Sequence, residues 1–228
     1  MSKGIYITAT GTDIGKTYVT GLLVKLLRNS GINAGYYKPA LSGAAVVDGE
    51  VIPGDCKFVA DTAGLTDQPH TLASYIYKTA VSPHLAAQME NRPIEPVVIV
   101  ADFAKAKQHF DYITVEGCGG IVCPLRLDEQ TLLQTDIIKL LNLDVLIVAS
   151  AELGTINSVV LTIDYARNQG IVVKGIILNK YDDSKFLHRD NKQVIERLTQ
   201  LPVVACVGTN ATDLAMDAKI LCEYYKEV

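Results

Sequence analysis

The ten residues from Thr8 to Thr17, Thr-Ala-Thr-Gly-Thr-Asp-Ile-Gly-Lys-Thr, carry the side-chain types that phosphate chemistry uses. Gly15 lets backbone approach a ligand closely, Lys16 supplies a mobile positive charge, and Thr17 offers a hard oxygen for Mg²⁺. A second group follows the stretch Asp111–Glu116, where Glu116 precedes Gly117-Cys118-Gly119-Gly120. A carboxylate at a buried strand end can hold Mg²⁺ or its waters, and the glycines free the backbone to wrap an anion. A third group is Lys38-Pro39-Ala40-Leu41-Ser42-Gly43. Pro39 holds Lys38 extended, so the lysine is either a solvated cation or a stabiliser of a transferred phosphoryl group. Asp55 opens a helical pattern and reads first as a helix-start residue, with a metal ligand as the other reading.

These groups need elements to position them. The apolar run Gly4–Ile7 before the loop reads as a buried strand, and Tyr18–Asn29 after it as a helix. Strand, Gly-Lys-Thr loop and helix form the P-loop layout, in which helix-start N–H groups and their partial charge attract anions. Thr10 stands where the usual first glycine belongs, with Gly11 one place along. Further strands are expected at 33–38, 111–116, 144–150, 171–179 and 201–207. Helices are expected at 83–91, 95–108, 131–141, 156–169, 185–199 and 213–226. Segment 39–54 reads as a loop or small hairpin. The alternation predicts an α/β chain with the P-loop NTPase fold: a mainly parallel sheet with helices on both faces, in a single domain over residues 1–228. Ligands of such sheets bind at the carboxyl ends of the strands, and nearly every strand here ends in residues able to hold one.

Bulk properties narrow the function. The net charge is −4 across 228 residues, which gives no basic field for nucleic acid. Apolar runs are strand-sized, so no membrane span is expected and the cytoplasm is the simplest compartment. The five cysteines are odd in number and lack a C-x-x-C pair, against a disulfide framework or zinc site. They read as core filler. Ser82 and Pro83 read as helix cap and first helical residue, and His84 is as fit for structure as for function. His70, His109 and His188 are expected to be isolated and exposed. Asn179-Lys180-Tyr181-Asp182 has the form of the N-K-x-D guanine-reading motif, which keeps a GTPase-type switch or regulatory nucleotide-binding protein as an alternative. The asparagine alone could read the amino group of adenine. Gly11 occupies the place of the second lysine that membrane-site and partition ATPases carry.

Taken together, the motifs resemble dethiobiotin synthetases. The resemblance rests on Thr12-Asp13-Ile14-Gly15-Lys16-Thr17, Gly35 to Pro39 with Ser42-Gly43, Asp55, Ser82-Pro83-His84, Arg92 to Glu95, Val115 to Gly120, Leu153 to Asn157 and Asn179. It implies a Mg²⁺-dependent ligase that joins 7,8-diaminononanoate, CO₂ and ATP through a carbamate and its mixed anhydride with phosphate. By the same resemblance, Lys16 and Lys38 are catalytic, and Thr17, Asp55 and Glu116 hold the metal. Thr12 to Tyr18, Asp55 and Glu116 to Gly119 meet the nucleotide phosphates. Asn179, Lys180 and Val207-Gly208-Thr209 meet the base. Lys38 and Ser42 meet the carbamate end of the substrate. Gly154-Thr155-Ile156-Asn157 meet its carboxylate across a homodimer interface. The family's first loop glycine falls on Ala9, its tyrosine near the substrate carboxylate falls near Asn191, and its Ile-Pro base edge is replaced by Val207-Gly208-Thr209.

Overall fold

The computed structural model describes residues 1–228. In chain order its first half comprises β1 (Lys3–Ala9), α1 (Lys16–Asn29), β2 (Ala34–Leu41), β3 (Ala45–Val47), β4 (Glu50–Ile52), α2 (Gly54–Ala63), β5 (Ala73–Ile76), α3 (Pro83–Met89), α4 (Pro96–His109) and β6 (Tyr112–Glu116). The second half comprises β7 (Pro124–Leu127), β8 (Thr131–Leu133), α5 (Gln134–Leu140), β9 (Val145–Ser150), α6 (Thr155–Asn168), β10 (Val173–Asn179), α7 (Phe186–Thr199), β11 (Val203–Val207), α8 (Ala218–Cys222) and β12 (Lys226–Glu227).

The sheet runs β11-β10-β9-β1-β6-β2-β5, parallel throughout, and β12 adds to the start of β1 in antiparallel sense. Period-two alternation sends successive side chains to opposite faces. Ile5, Ile7, Leu146, Val148 and Ile177 pack on the face covered by α1 and α8. Tyr6, Val145, Ile147, Ile176 and Leu178 pack on the face covered by α4, α5, α6 and α7. Burial on both sides explains why these strands read as continuous apolar runs. At β2 the sheet is so closely covered that a Cβ on Gly35 would fall 2.2 Å from the Phe110 ring.

Several expected elements change. Segment 39–54 is not among them, since it holds a small antiparallel hairpin, β3–β4, as expected. The helix expected over 131–141 begins only at Gln134, because Thr131–Leu133 pairs with β7 and Asp136 accepts the Leu133 N–H at 2.9 Å. The helix expected over 213–226 contracts to α8. Asp213 is drawn to Lys25 (2.9 Å), Asp217 caps Lys219 N (2.7 Å), and Lys226–Glu227 leaves to pair with β1. Tyr225 anchors this return, its hydroxyl 2.6 Å from Thr114 Oγ1. Strand β5 is an edge strand of four residues that was not expected. Pro83 does begin α3, but the Ser82 hydroxyl turns to His84 Nδ1 (3.0 Å) and makes no capping bond. His70 and His109 are exposed as expected, whereas His188 is fully buried.

The Gly35–Phe110 contact is directly testable. Gly35→Ala should destabilise the fold by about 1–3 kcal/mol, the usual cost of overpacking. Urea unfolding of the variant beside Gly35→Ala/Phe110→Leu should show recovery in the double variant.

Candidate active site

Parallel strands β1, β6 and β2 deliver the P-loop, Glu116 and Lys38 to one end of the sheet. There they line a cleft of about 620 Å³ together with Thr12, Asp13, Gly15, Thr17, Tyr18, Ser42, Asp55 and Gly117 to Gly119. Of the residues expected to meet phosphates, metal and carbamate, only Ile14 does not line this cleft. The P-loop turn is held open by backbone shape: Asp13 and Gly15 both adopt positive φ, at 58° and 95°. A side chain on Gly15 would also strike Asn179 Nδ2, 2.2 Å from the Cβ position.

Glu116 is the hub. It is fully buried, and its Oε1 accepts from Lys38 Nζ (2.7 Å) and Thr17 Oγ1 (2.7 Å). Its Oε2 accepts from the Tyr36 hydroxyl at 3.0 Å. Lys38 Nζ also touches Asp55 Oδ2 (2.9 Å) and the Gly117 carbonyl (3.3 Å). Burial alone would pull the Lys38 ammonium down, but the charges of Glu116 and Asp55 overcome it and hold the ammonium well above the usual lysine value. Burial would raise the Asp55 carboxyl, and Lys38 beside it reverses the direction. Asp55 sits in the first turn of α2 without capping its own helix, so its carboxylate is directed to the site.

Lys16 behaves oppositely. Burial and then the neighbouring charge of Lys38 lower it below the ordinary lysine value, and it makes no ion pair. Its charge is therefore uncommitted, as a phosphate-binding lysine requires. The thiols are inert by contrast. Burial pushes Cys56 and Cys123 up to about 12 and raises Cys118, whose Sγ donates to Ala40 O (2.8 Å). Ser42 Oγ donates to Val81 O (2.5 Å), which leaves its lone pairs as acceptors.

Sequence reasoning missed Gln134. Fully buried, it accepts from Cys118 N (2.6 Å) and donates to Thr8 Oγ1 (3.0 Å) and Gly120 O (3.2 Å), fastening the glycine turn to β1. Gly117 must lack a side chain to admit it, since a Cβ there would lie 2.3 Å from Gln134 Oε1. Leu41 and Phe58 also line the cleft unannounced.

The residues expected at the base gather beside the cleft. Asn179 and Val207 are register partners on β10 and β11, and Tyr181 N donates to Val207 O (2.9 Å), bringing Lys180 alongside Gly208 and Thr209. Asn179 Nδ2 donates to Ile14 O (2.8 Å), which fixes the amide with Oδ1 free to accept. Asp182 has one of its two carboxylate oxygens engaged within its own loop. Its Oδ1 is engaged by Ser184 N (2.9 Å) and Ser184 Oγ (2.7 Å). Gly154 to Asn157 stand apart from the cleft at the start of α6.

Fold and loop together define a P-loop nucleotide-binding protein. The ParA family ATPase from Chlorobium tepidum TLS has a TM-score of 0.58 at 14% identity, covering 92% of this chain and 86% of the other. The MinD cell division protein of Aquifex aeolicus gives 0.53 at 14%, covering 91% and 82%. At such identity the likeness is one of fold alone. A family model described as AAA domain matches residues 3–213. The ATP-dependent dethiobiotin synthetase BioD of Clostridium botulinum (strain Eklund 17B / Type B) is 47% identical over 225 residues, 99% of each chain. That of Clostridium novyi (strain NT) is 52% identical over 208 residues, 91% of this chain and 87% of the relative. The chain belongs to the dethiobiotin synthetase family.

Removing Lys38 should expose how much the hub depends on it. Lys38→Met strands the Glu116 carboxylate and should lower unfolding free energy by about 3–5 kcal/mol, with much recovered in Lys38→Met/Glu116→Gln. The Lys38 value is raised in the fold. Its contribution is therefore complete below the unfolded lysine value of about 10.4 and is lost as pH rises through the folded one. Denaturant titrations should show the gap between wild type and Lys38→Met narrowing above roughly pH 10.5. A gap that stays constant there would contradict the assigned ion pair.

Proposed function

We propose that this chain makes dethiobiotin from 7,8-diaminononanoate, CO₂ and ATP, a step of biotin biosynthesis. The observation that carries the reading is two buried lysines in one cleft, one held charged by carboxylates and one without an ion pair. Full-length relatives named as ATP-dependent dethiobiotin synthetases support it.

In this reading a substrate amine adds to CO₂ and gives a carbamate. A carbamate oxygen takes the γ-phosphoryl group of ATP, and ADP leaves. The second amine attacks the carbonyl carbon, phosphate departs and the ureido ring closes. Thr12 to Tyr18 cradle the phosphates, and Lys16 gives its uncommitted charge to the terminal ones. Lys38 stays protonated, so it acts as a fixed positive charge toward carbamate and phosphoryl oxygens, never as a base. The Ser42 lone pairs accept from the substrate amine. Gly117 to Gly119 supply backbone around the transferred group. Catalysis here consists of positioning and charge neutralisation.

The donor set suits Mg²⁺. Thr17, Asp55 and Glu116 offer one hydroxyl and two carboxylates, all hard oxygens, and the ion ordinarily completes its shell with water and substrate phosphate. These three residues would hold the ion, which supplies charge neutralisation at the phosphates. At the base, Asn179 Oδ1 accepts the adenine amino group, with Lys180 and Val207 to Thr209 as its surroundings. Gly154 to Asn157 lie outside the cleft of their own chain and follow Leu153, which is 86% exposed. They serve the substrate carboxylate of a second copy, so the working form is a homodimer. Its 228 residues act as one domain, in the cytoplasm.

Incubation with Mg·ATP, bicarbonate and 7,8-diaminononanoate should yield dethiobiotin by mass, and only with all three. Lys16→Gln and Lys38→Gln should each lower kcat on the order of 10²–10³-fold, with nucleotide binding largely kept in the second. Asp182→Ala should leave the ATP-to-GTP rate ratio unchanged. No product with either nucleotide, together with tight GTP binding, would replace the ligase by a switch.

A further inference from the structure

One cluster of buried polar groups takes no part in the cleft. His188 and Asn191, both on α7, are 0% and 3% exposed. Asn191 Nδ2 donates to Ala151 O (2.9 Å) and reaches Glu152 O at 3.4 Å. Asp182 N donates to His188 Nδ1 at 2.9 Å. A backbone N–H can only donate, so Nδ1 carries a lone pair and the ring proton lies on Nε2. That Nε2 is buried and closes no hydrogen bond, and it faces Glu152 Oε1 at 3.4 Å. The same carboxylate oxygen faces Lys185 Nζ at 3.4 Å, and the His188 ring packs on Tyr181 with centroids 5.7 Å apart. The imidazole thus stands between two strand-end loops, the one after β9 and the one after β10. The turn after β9 leads into α6, whose first residue, Thr155, has a buried hydroxyl with no partner. The first N–H groups of that helix have no acceptor within it.

We infer that His188 is a positioning residue. With Asn191 it fastens the turn Ala151–Gly154 against the loop Asp182–Lys185. It thereby sets the direction in which the start of α6 presents Thr155 and its N–H groups to the carboxylate of the diamino acid. The inference rests on the ligase reading above. A buried polar group kept in an apolar setting costs free energy, and here it stands between two loops that are otherwise tied at their surface by Lys185 and Glu152.

Glu152 is half exposed, so Glu152→Ala removes the carboxylate that faces Nε2, together with its Lys185 contact, without threatening the core; His188→Leu removes the ring's polar atoms and leaves the Lys185–Glu152 contact in place. Both variants should raise the KM for the diamino acid roughly tenfold, with kcat and the KM for ATP within about twofold. Glu152→Gln, which keeps an acceptor oxygen, should restore most of the loss. In the free protein, amide hydrogen exchange over Ala151–Asn157 should be faster in Glu152→Ala than in wild type. A reduced kcat at unchanged KM would mean a merely structural loss of active protein and would overturn the assignment. Unchanged KM and unchanged exchange in Glu152→Ala would overturn it as well. Wild-type protein that makes no dethiobiotin would remove the ligase reading and the carboxylate role together, and the exchange comparison would still decide separately whether the turn is fastened.

Discussion

The structure depends on a carboxylate placed where water does not reach. An ionised glutamate in a protein interior is tolerated only if its lone pairs are filled and its charge is matched. Lys38 matches the charge of Glu116, and Lys38, Thr17 and Tyr36, from β2 and α1, take three of its four lone-pair sites. Satisfying one buried charge therefore fixes the relative positions of β6, β2 and the first turn of α1. The geometry that stabilises the fold is also the geometry that gathers phosphate-binding groups.

Topology explains why those groups meet at one end. Parallel strands all present their carboxyl ends on the same edge of the sheet. The chain passes from β1 outward to β2 on one side and later fills β9, β10 and β11 on the other. The P-loop leaves the sheet at this reversal, where the flanking loops diverge and open a crevice. Lys38 and Glu116 lie to one side of it, Asn179 and Val207 to the other. The residues expected at the phosphates and at the base thus sit on different halves of one sheet, with Asn179 bonded back to Ile14 across the boundary.

Much of this was legible in residue order because the strong signals are local. Strands buried on both faces announce themselves as apolar runs, and the loop from Thr12 to Thr17 carries its chemistry in consecutive residues. What was not legible depends on distant partners. Strand β5 is short and half polar, and only its place beside β2 makes it a strand. Strand β8 takes the first three residues of a stretch with helical periodicity, and cross-strand pairing with β7 overrides it. Gln134 and His188 are single polar residues in helical stretches, a pattern that ordinarily marks a solvated face. Asn179-Lys180-Tyr181-Asp182 is legible as a motif but not in its local bonding. Its spacing matches a guanine reader, yet the Asp182 carboxylate is engaged by Ser184.

The position of β1 between β6 and β9 has a kinetic meaning. The strand that carries the phosphate loop has no sheet neighbour near it in sequence, since Lys3 pairs with Tyr112 and Tyr6 with Val145. Closing such distant contacts costs loop entropy before any pairing energy is returned, which slows folding of parallel sheets. The nucleotide loop, earliest in the chain, must wait for the middle of the chain before it is held in shape. Competence to bind ATP therefore arrives late in folding, so bound nucleotide reports a sheet whose centre is already assembled.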